Sequence, residues 1–338
     1  MTRAAIPLDE DVQALSAWTA RSLRESDWRV PVSEACCREL LAAIDWRRAN
    51  PLPVELLDAA ELDLPLTRAL AARARGVLDA GVGFAVIDRL PLDGLDQHEA
   101  KALYWILSNA IARVVAGAWD GRMLHDVVDL AKQQGLRVRG DLTSQEIRWH
   151  TDNGFSCTPD YVGLLCIRPA SEGGENSVVS LHSAHNLMRR RQPQLLPRLY
   201  RDFWWNRMGE HPPGDAPANR YPIFEHDGMR LKARVNRRVV QAGYELAGEP
   251  FDDEGRAALD ALFEILDDPS LGASFTLEAG QAVYLHNRTI AHHRTPFVDA
   301  PDPARRRHLV RIYLRDRGPR SYLGTEGLAR PPQASVAG

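Results

Sequence analysis

The sequence is poor in the features that mark secreted, membrane or nucleotide-binding proteins. Only four of its 338 residues are cysteine: Cys36, Cys37, Cys157 and Cys166. None stands in a C-x-x-C pair and no His–Cys spacing suggests zinc, so a disulfide scaffold and a thiolate metal site are both disfavoured. Adjacent Cys36 and Cys37 fit a buried helix face better than a bridge. No apolar stretch follows the opening MTRAAIPLDEDVQ, so no secretory signal is expected. No run approaches the ~20 apolar residues needed to span a bilayer. A reducing cytoplasm is therefore the expected compartment. A phosphate-cradling G-x-G-x-x-G or G-K-[ST] loop is also missing. Neither charge dominates: 42 Lys and Arg face 45 Asp and Glu, a net of −3. That balance gives no general pull toward nucleic acid or an anionic membrane. Any anion chemistry must come from local arginine placement.

With 44% hydrophobic residues the chain can bury a large core, and its length favours one large domain with helical decoration over two equal ones. Residues 9–80 read as helical. Leu15, Trp18 and Leu23 recur at near-helical spacing, and Cys37, Leu40, Leu41 and Ile44 share a face in 33–48. A third helix, LTRALAARARGVLDAG, ends at Gly81, a fitting C-cap. Residues 82–90 read as a strand and 99–117 as a helix stopped by Gly117. From about 123 short β-rich runs take over: MLHDVVDL, EIRWH, YVGLLCI (161–167), NSVVSL (176–181), ASFTL, QAVYLHN and HLVRIYLRD. Between them lie a helical insertion broken by Pro193, a hairpin turning at Asp227-Gly228, and a helix over 252–268. Short strands with helices before and between them suit an antiparallel barrel or sandwich with outer helices, not a βαβ sheet.

The most informative segment is Arg148-Trp149-His150-Thr151-Asp152-Asn153. On an extended backbone residues i and i+2 point to the same side, so His150 and Asp152 can grip one metal together. Two imidazoles and a carboxylate on one octahedral face form the ligand set of non-haem iron(II) oxygenases, with positions left open. Chance alone yields roughly one or two H-x-[DE] matches in such a composition, and 150–152 is the only one here. The second imidazole must come from elsewhere. Residues 280–297 offer His286, His292 and His293. In 304–315, alternation places Arg307, Leu309, Arg311 and Tyr313 on one side. An arginine turned into a barrel is costly unless it meets an anion, which a dicarboxylate co-substrate would supply. Arg305 and Arg306 read as a solvated loop.

Together these segments resemble the taurine dioxygenase (TauD/TfdA) superfamily of Fe(II)/2-oxoglutarate-dependent oxygenases, which includes clavaminate-synthase-like members. The resemblance is carried by W-H-T-D-N at 149–153, Pro159-Asp160-Tyr161-Val162-Gly163-Leu164-Leu165, Gly173-Gly174-Glu175-Asn176-Ser177, N-R-T-I-A-H-H-R-T at 287–295 and R-R-H-L-V-R at 306–311. It spans roughly residues 80–316. It implies an α+β fold built on a distorted double-stranded β-helix, a cupin-like jelly-roll, with outer helices. On that reading residues 1–80 are a helical segment packed on the core, 81–318 the catalytic domain with helical insertions, and 319–338 a poorly ordered tail. The resemblance further implies Fe(II) held by His150, Asp152 and His292, since the family ligand is the first histidine of the pair. Arg307 is implied as the partner of the distal carboxylate of 2-oxoglutarate. Arg311 is left to share that carboxylate or to meet an acidic substrate. Ser177 is the nearest match to a co-substrate-binding hydroxyl, one residue out of the usual register. The implied cofactors are Fe(II), 2-oxoglutarate and O2, and the implied reaction is hydroxylation of a C–H bond with release of succinate and CO2. Asp152 stands where a related halogenase carries a small residue, which favours hydroxylation, desaturation or ring closure.

Other residues have plainer readings. Trp149 and Phe155 read as core aromatics beside the ligands, and Trp204-Trp205 as strand core. Asn153 either caps a turn or bonds near the metal. Arg139 reads as a solvated surface arginine. His182 and His185 lack a third ligand and read as a polar helix start, while Asp252, Asp253 and Glu254 complement a helix N-terminus. The expected partner is a small-molecule substrate, an amino acid or natural-product intermediate, with no nucleic acid and no membrane; a homo-oligomer is allowed. Two competing classes are a non-catalytic metal-binding β-barrel sensor or scaffold, and a zinc hydrolase with Glu146 as its only nearby general base.

Overall fold

A computed structural model describes residues 7–130 and 143–326. Arg139 and residues 327–338 lie outside the described residues. The first departure from the sequence reading is at the start. Residues 7–28 hold no α-helix but form an irregular strap of turns ending in a 3-10 turn at Glu25–Asp27. Leu15 is exposed, whereas Trp18 is buried and its indole N–H donates to the Val82 carbonyl at 2.7 Å. Neighbouring side chains take up the strap's backbone groups: Asn186 Oδ1 accepts from Val12 N, and the Ser183 and Ser180 hydroxyls donate to the Trp18 and Ser16 carbonyls. One aromatic anchor and these bonds replace an internal helix ladder.

Strand β1 (Arg29–Pro31) leads to α1 (Glu34–Ala49), which is capped by Ser33. Its buried stripe is Cys36, Leu40, Ala43 and Ile44, an i, i+4, i+7, i+8 pattern. Cys37 and Leu41, expected inward, sit on its half-buried edge. Helix α2 (Pro65–Asp79) starts on its proline and ends at Ala80, one residue before the expected cap. A Cβ at Gly81 would strike the Val77 carbonyl oxygen at 2.8 Å. After β2 (Phe84–Asp88), α3 (Gln97–Ile111) carries an Asp96/Glu99 capping box. It stops six residues earlier than expected, because Arg113–Val115 forms β3 and pairs with the last strand. Sheet pairing outweighs local helical pattern there.

The β-rich middle runs through β4 (Leu124–Val127), β5 (Ile147–His150), β6 (Tyr161–Arg168), β7 (Glu172–Gly173) and β8 (Asn176–Ser180). The insertion follows as α4 (Leu181–Arg191) and α5 (Leu196–Leu199), with Pro193 between them. Strands β9 (Phe203–Asn206) and β10 (Ala218–Tyr221) pair with each other. So do β11 (Phe224–His226) and β12 (Leu231–Ala233), around a turn with Gly228 at φ +93°. Helix α6 (Arg237–Ala247) was not foreseen; α7 (Asp253–Leu266) was, with Asp252 as its cap. The chain closes with β13 (Ala273–Phe275), β14 (Ala282–His286), β15 (Ile290–Arg294), β16 (Phe297–Val298) and β17 (His308–Arg315).

Two sheets dominate. A seven-stranded sheet runs β1-β2-β14-β6-β17-β3 with β4 also on β17, and a four-stranded sheet runs β13-β8-β15-β5. Apart from the parallel β1–β2 pair their ladders are antiparallel. Leu40, Ile44, Leu70, Leu103 and Trp105 of α1–α3 cover one face of the large sheet through Ala85, Ile87, Val310 and Ile312. The other helices cover the small sheet at Val179 and Ala291. Between the sheets Val86, Cys166, Leu285 and Leu309 meet Val178 and Ile290. This mixed arrangement gives two sheet walls with separate helical jackets, and the space between the walls is where the candidate ligands meet. No helix among the described residues is long and apolar enough to cross a membrane.

Candidate metal centre

His150 ends β5 and His292 sits directly opposite it on β15. Antiparallel register thus brings two distant histidines together, their rings 4.1 Å apart between centroids. Asp152 lies in the turn just after β5, not on the strand itself. Its Oδ2 is 3.6 Å from His292 Nε2, and one ligand atom from each of the three residues lies within 4.8 Å of the others. His150 Nδ1 is 2.8 Å from the Arg148 carbonyl, which can only accept. The proton therefore sits on Nδ1 and the Nε2 lone pair is left for a metal. Burial, then the neighbouring His150 ring, pushes His292 down to about 3. Its imidazole is neutral at physiological pH, the form that binds metals.

The turn carrying Asp152 is clamped from two sides. Asn287 Oδ1 accepts from Asp152 N (2.9 Å), while its Nδ2 donates to the carbonyls of Asp152 (2.9 Å) and Pro159 (3.2 Å). Arg234, fully buried, donates through Nη1 to the Gly154 carbonyl at 2.8 Å. Thr151 N bonds the Val235 carbonyl and Thr151 Oγ1 accepts from Val235 N. Neither Asn287 nor Arg234 was singled out from sequence. Asn287 does open the same N-R-T-I-A-H run that yields His292, so its motif was visible while its bonding was not. Asn153, at φ +51°, donates from Nδ2 to the Gly117 carbonyl and so serves the turn.

A cavity of about 660 Å³ opens above the triad. Arg307, Leu309 and Arg311 line it from the large sheet, as the strand alternation required. Arg307 is buried, its contacts include the Phe297 ring, and among the described residues its Nη1 has no hydrogen-bond partner. Arg311 Nη1 instead lies 3.3 Å from Asp152 Oδ1, so one of its contacts is the candidate metal carboxylate itself. Ser177 is not among the residues brought to the cavity. It sits opposite His293 on the outer face of β8, and its hydroxyl pairs with Ser274 Oγ at 2.8 Å. Asn176, on the inner face, lines the cavity in its place. His293 is likewise turned outward, its Nε2 2.8 Å from Glu146 Oε1. His286 is a strand residue against Tyr161. Trp149, Phe155 and Trp205 all line the cavity, as do Asn236, Arg237, Arg238 and Gln241 of the unforeseen α6 region. His182 and His185 are structural: His182 bonds Ser16 and the Leu231 carbonyl, and His185 bonds the Tyr200 hydroxyl.

Residues 319–326, the start of the expected tail, make specific contacts. Leu323 O accepts from Cys157 N, Gly324 O accepts from Asn219, and Glu326 pairs with Arg234 (2.5 Å) and Arg288 (2.9 Å). Buried guanidinium groups need a counter-charge, and this segment supplies it.

The donor set fits an octahedral divalent metal with open positions, and the buried Arg307 guanidinium fits a carboxylate beside it. Comparison with known proteins agrees. Residues 49–313 match the model of the family described as taurine catabolism dioxygenase TauD, TfdA, and the chain belongs to that family. It is a non-haem iron(II) dioxygenase with 2-oxoglutarate and O2 as co-substrates. Over 315 residues, 91% of this chain and 91% of the relative, it is 28% identical to FR-33289 synthase of Streptomyces rubellomurinus (strain ATCC 31215). Over 191 residues it is 30% identical to a uridine-5'-phosphate dioxygenase of Amycolatopsis sp, covering 54% of this chain and 66% of that one. Among solved structures, asparagine oxygenase with Fe(II), 3-hydroxyasparagine and succinate superposes with a TM-score of 0.62 at 19% identity, covering 86% of this chain and 94% of that one. The non-heme iron oxygenase OrfP with Fe and alpha-ketoglutaric acid gives 0.60 at 18% identity, with the same coverage. These two likenesses establish the fold.

Proposed function

We propose that the protein hydroxylates an unactivated C–H bond of a small polar substrate, with succinate and CO2 as co-products. The observation that carries this reading is one cavity holding both the triad and the buried Arg307 guanidinium, whose Nη1 is unbonded among the described residues. His150, Asp152 and His292 would hold the iron. When bound, iron and 2-oxoglutarate supply an oxidising power that no side chain has. The residues supply position and dryness. Arg307 would bind the distal carboxylate of 2-oxoglutarate: burial disfavours its charge, and a bound dicarboxylate would offset that cost. Arg311 holds the Asp152 carboxylate and stands ready for an acidic group on the substrate. Leu164, Leu309 and Val127 keep water from the same wall.

The rest of the cavity presents charges of both signs, Arg148, Arg238, Asp260 and Asp267, beside Trp205 and Phe263. That lining suits an amino acid or a natural-product intermediate carrying charged ends. Relatives and neighbours named for uridine-5'-phosphate and asparagine, and OrfP crystallised with (3S)-hydroxy-L-Arg, are compatible with such a ligand. The two sheet walls are read as a distorted double-stranded β-helix spanning 81–318, with the preceding helices packed on it. The zinc-hydrolase alternative is weakened because Glu146, its only general base, is bonded to His293.

The test is succinate formation from 2-oxoglutarate by the Fe(II)-loaded protein under O2, against L-amino acids and uridine-5'-monophosphate. Substrate-stimulated succinate is expected. No succinate under any condition, including slow turnover without substrate, overturns the reading.

A further inference from the structure

Glu326 stands 174 positions after Asp152 in the chain, yet its carboxylate is the shared partner of Arg234, one clamp on the Asp152 turn, and of Arg288, the chain neighbour of the other clamp, Asn287. Its Oε1 is 2.5 Å from Arg234 Nη2 and 2.9 Å from Arg288 Nη1. Arg234 donates to the carbonyls of Gly154 (2.8 Å) and Ser156 (3.5 Å), immediately after Asp152. Arg288 follows Asn287, whose side chain bonds both backbone groups of Asp152. Both guanidinium groups are almost wholly buried, with side-chain exposures of 1% and 8%. The other acid in reach is Glu225, 2.5 Å from Arg288 but 3.6 Å from Arg234. Arg234 therefore depends on Glu326 for its close counter-charge. The backbone around Glu326 is fixed too: Glu326 N donates to the Tyr221 hydroxyl (3.0 Å), and Arg234 stacks over the Tyr221 ring.

Resting on the iron reading above, we propose that Glu326 is a positioning residue for the metal centre: its carboxylate, brought in by the 319–326 strap, locks Arg234 and Arg288 so that the Asp152 turn is preorganised for the ion. Removing the carboxylate strands a buried charge on Arg234, whose guanidinium must then turn toward solvent and release the Gly154 carbonyl. A ligand turn so loosened binds metal more weakly, as substitutions behind metal ligands typically cost roughly 10- to 100-fold in affinity.

The full chain, stripped of metal, is titrated with Co(II), followed by calorimetry and by the visible ligand-field spectrum. Wild type is expected to bind one Co(II), and His292→Ala to lose it. Glu326→Gln is expected to bind roughly 10-fold more weakly with an altered spectrum. Asp45→Asn, which breaks a surface pair with Arg48 on α1, leaves affinity and spectrum unchanged. Tyr221→Phe unfastens the strap without stranding a charge, and a smaller loss of affinity is expected, so it decides the matter if Glu326→Gln does not fold. Lowered thermal stability in Glu326→Gln and Tyr221→Phe with wild-type Co(II) affinity and spectrum would reduce the strap to a structural role and overturn the proposal. Equal Co(II) binding by wild type and His292→Ala would instead overturn the metal reading, and the strap with it.

Discussion

At the scale of single residues, the centre turns on which side of a strand each group occupies. His292 and His293 are adjacent, yet one faces His150 across the ladder and the other faces Glu146 on the outside. His292→Ala is expected to lose bound iron and all turnover, whereas His293→Ala retains iron; metal analysis of the purified variants decides it. Iron lost from His293→Ala and kept in His292→Ala would move the ligand by one position. Arg307 is the second pivot. A hydrogen-bonded charge pair is worth about 1.5–3 kcal/mol, so Arg307→Ala should raise the 2-oxoglutarate KM by roughly 10- to 100-fold while leaving iron content intact. Arg307→Lys should recover little of it, because an ammonium cannot reproduce the planar fork. An unchanged KM would hand the co-substrate contact to Arg311.

At the scale of elements, what was legible followed strand alternation and short motifs. The period of two put Arg307, Leu309 and Arg311 on one wall, and they are there. The H-x-D spacing found two ligands even though Asp152 lies in a turn, because Thr151 and Asn287 hold that turn so the carboxylate faces the cavity. Ser177 lies off the cavity for the complementary reason: on a strand, one step in register moves a side chain to the opposite face, and Asn176 holds the cavity-lining position. The first helix and the end of the third failed where tertiary bonds replaced local ones, through Trp18 in one case and β17 in the other. Helix α6 was missed although its ends are marked: Asn236 caps its start, accepting from Val239 N, and Gly248 in the left-handed region closes it, while the basic pair Arg237-Arg238 obscured the apolar face of Val239, Val240, Gly243 and Tyr244. Asn287 gives this scale its prediction. Its amide makes one accepting and two donating bonds to the 152–159 turn. Losing them from a buried position should cost roughly 2–4 kcal/mol, read as a lower urea midpoint together with reduced iron content in Asn287→Ala. Asn287→Asp should be no better, since a carboxylate cannot donate to the Asp152 and Pro159 carbonyls. A fully iron-loaded Asn287→Asp would show that the turn holds itself.

At the scale of the whole molecule, two helical jackets bury titratable groups that the site does not use, and these set how the fold responds to acid. His185 lies in the α4–α7 jacket, bonded to Tyr200 and edge-on to Phe224, and burial lowers it to about 4. His286, against Tyr161, is lowered to about 4 by the same cause. Above pH 6.5 both states carry these rings neutral and nothing is gained or lost. Between about 6.5 and 4 the unfolded chain takes up protons that the folded chain refuses, so stability falls as pH falls. Below about 4 the folded rings protonate as well and this contribution levels off. Carboxylates then take over: Glu326, pushed up by burial but brought down to about 2 by Arg234 and Arg288, holds its contribution above the ordinary glutamate value and loses it toward pH 2. Urea midpoints of the metal-free protein should therefore decline in two stages, one across pH 6.5–4 and a second below about 4. His185→Gln keeps a donor and acceptor near Tyr200 but cannot titrate, so the first stage should shrink in that variant while the second stays. A wild-type slope across pH 6.5–4 in His185→Gln would mean that the imidazole takes up its proton in the fold as readily as in the unfolded chain, contrary to its buried surroundings.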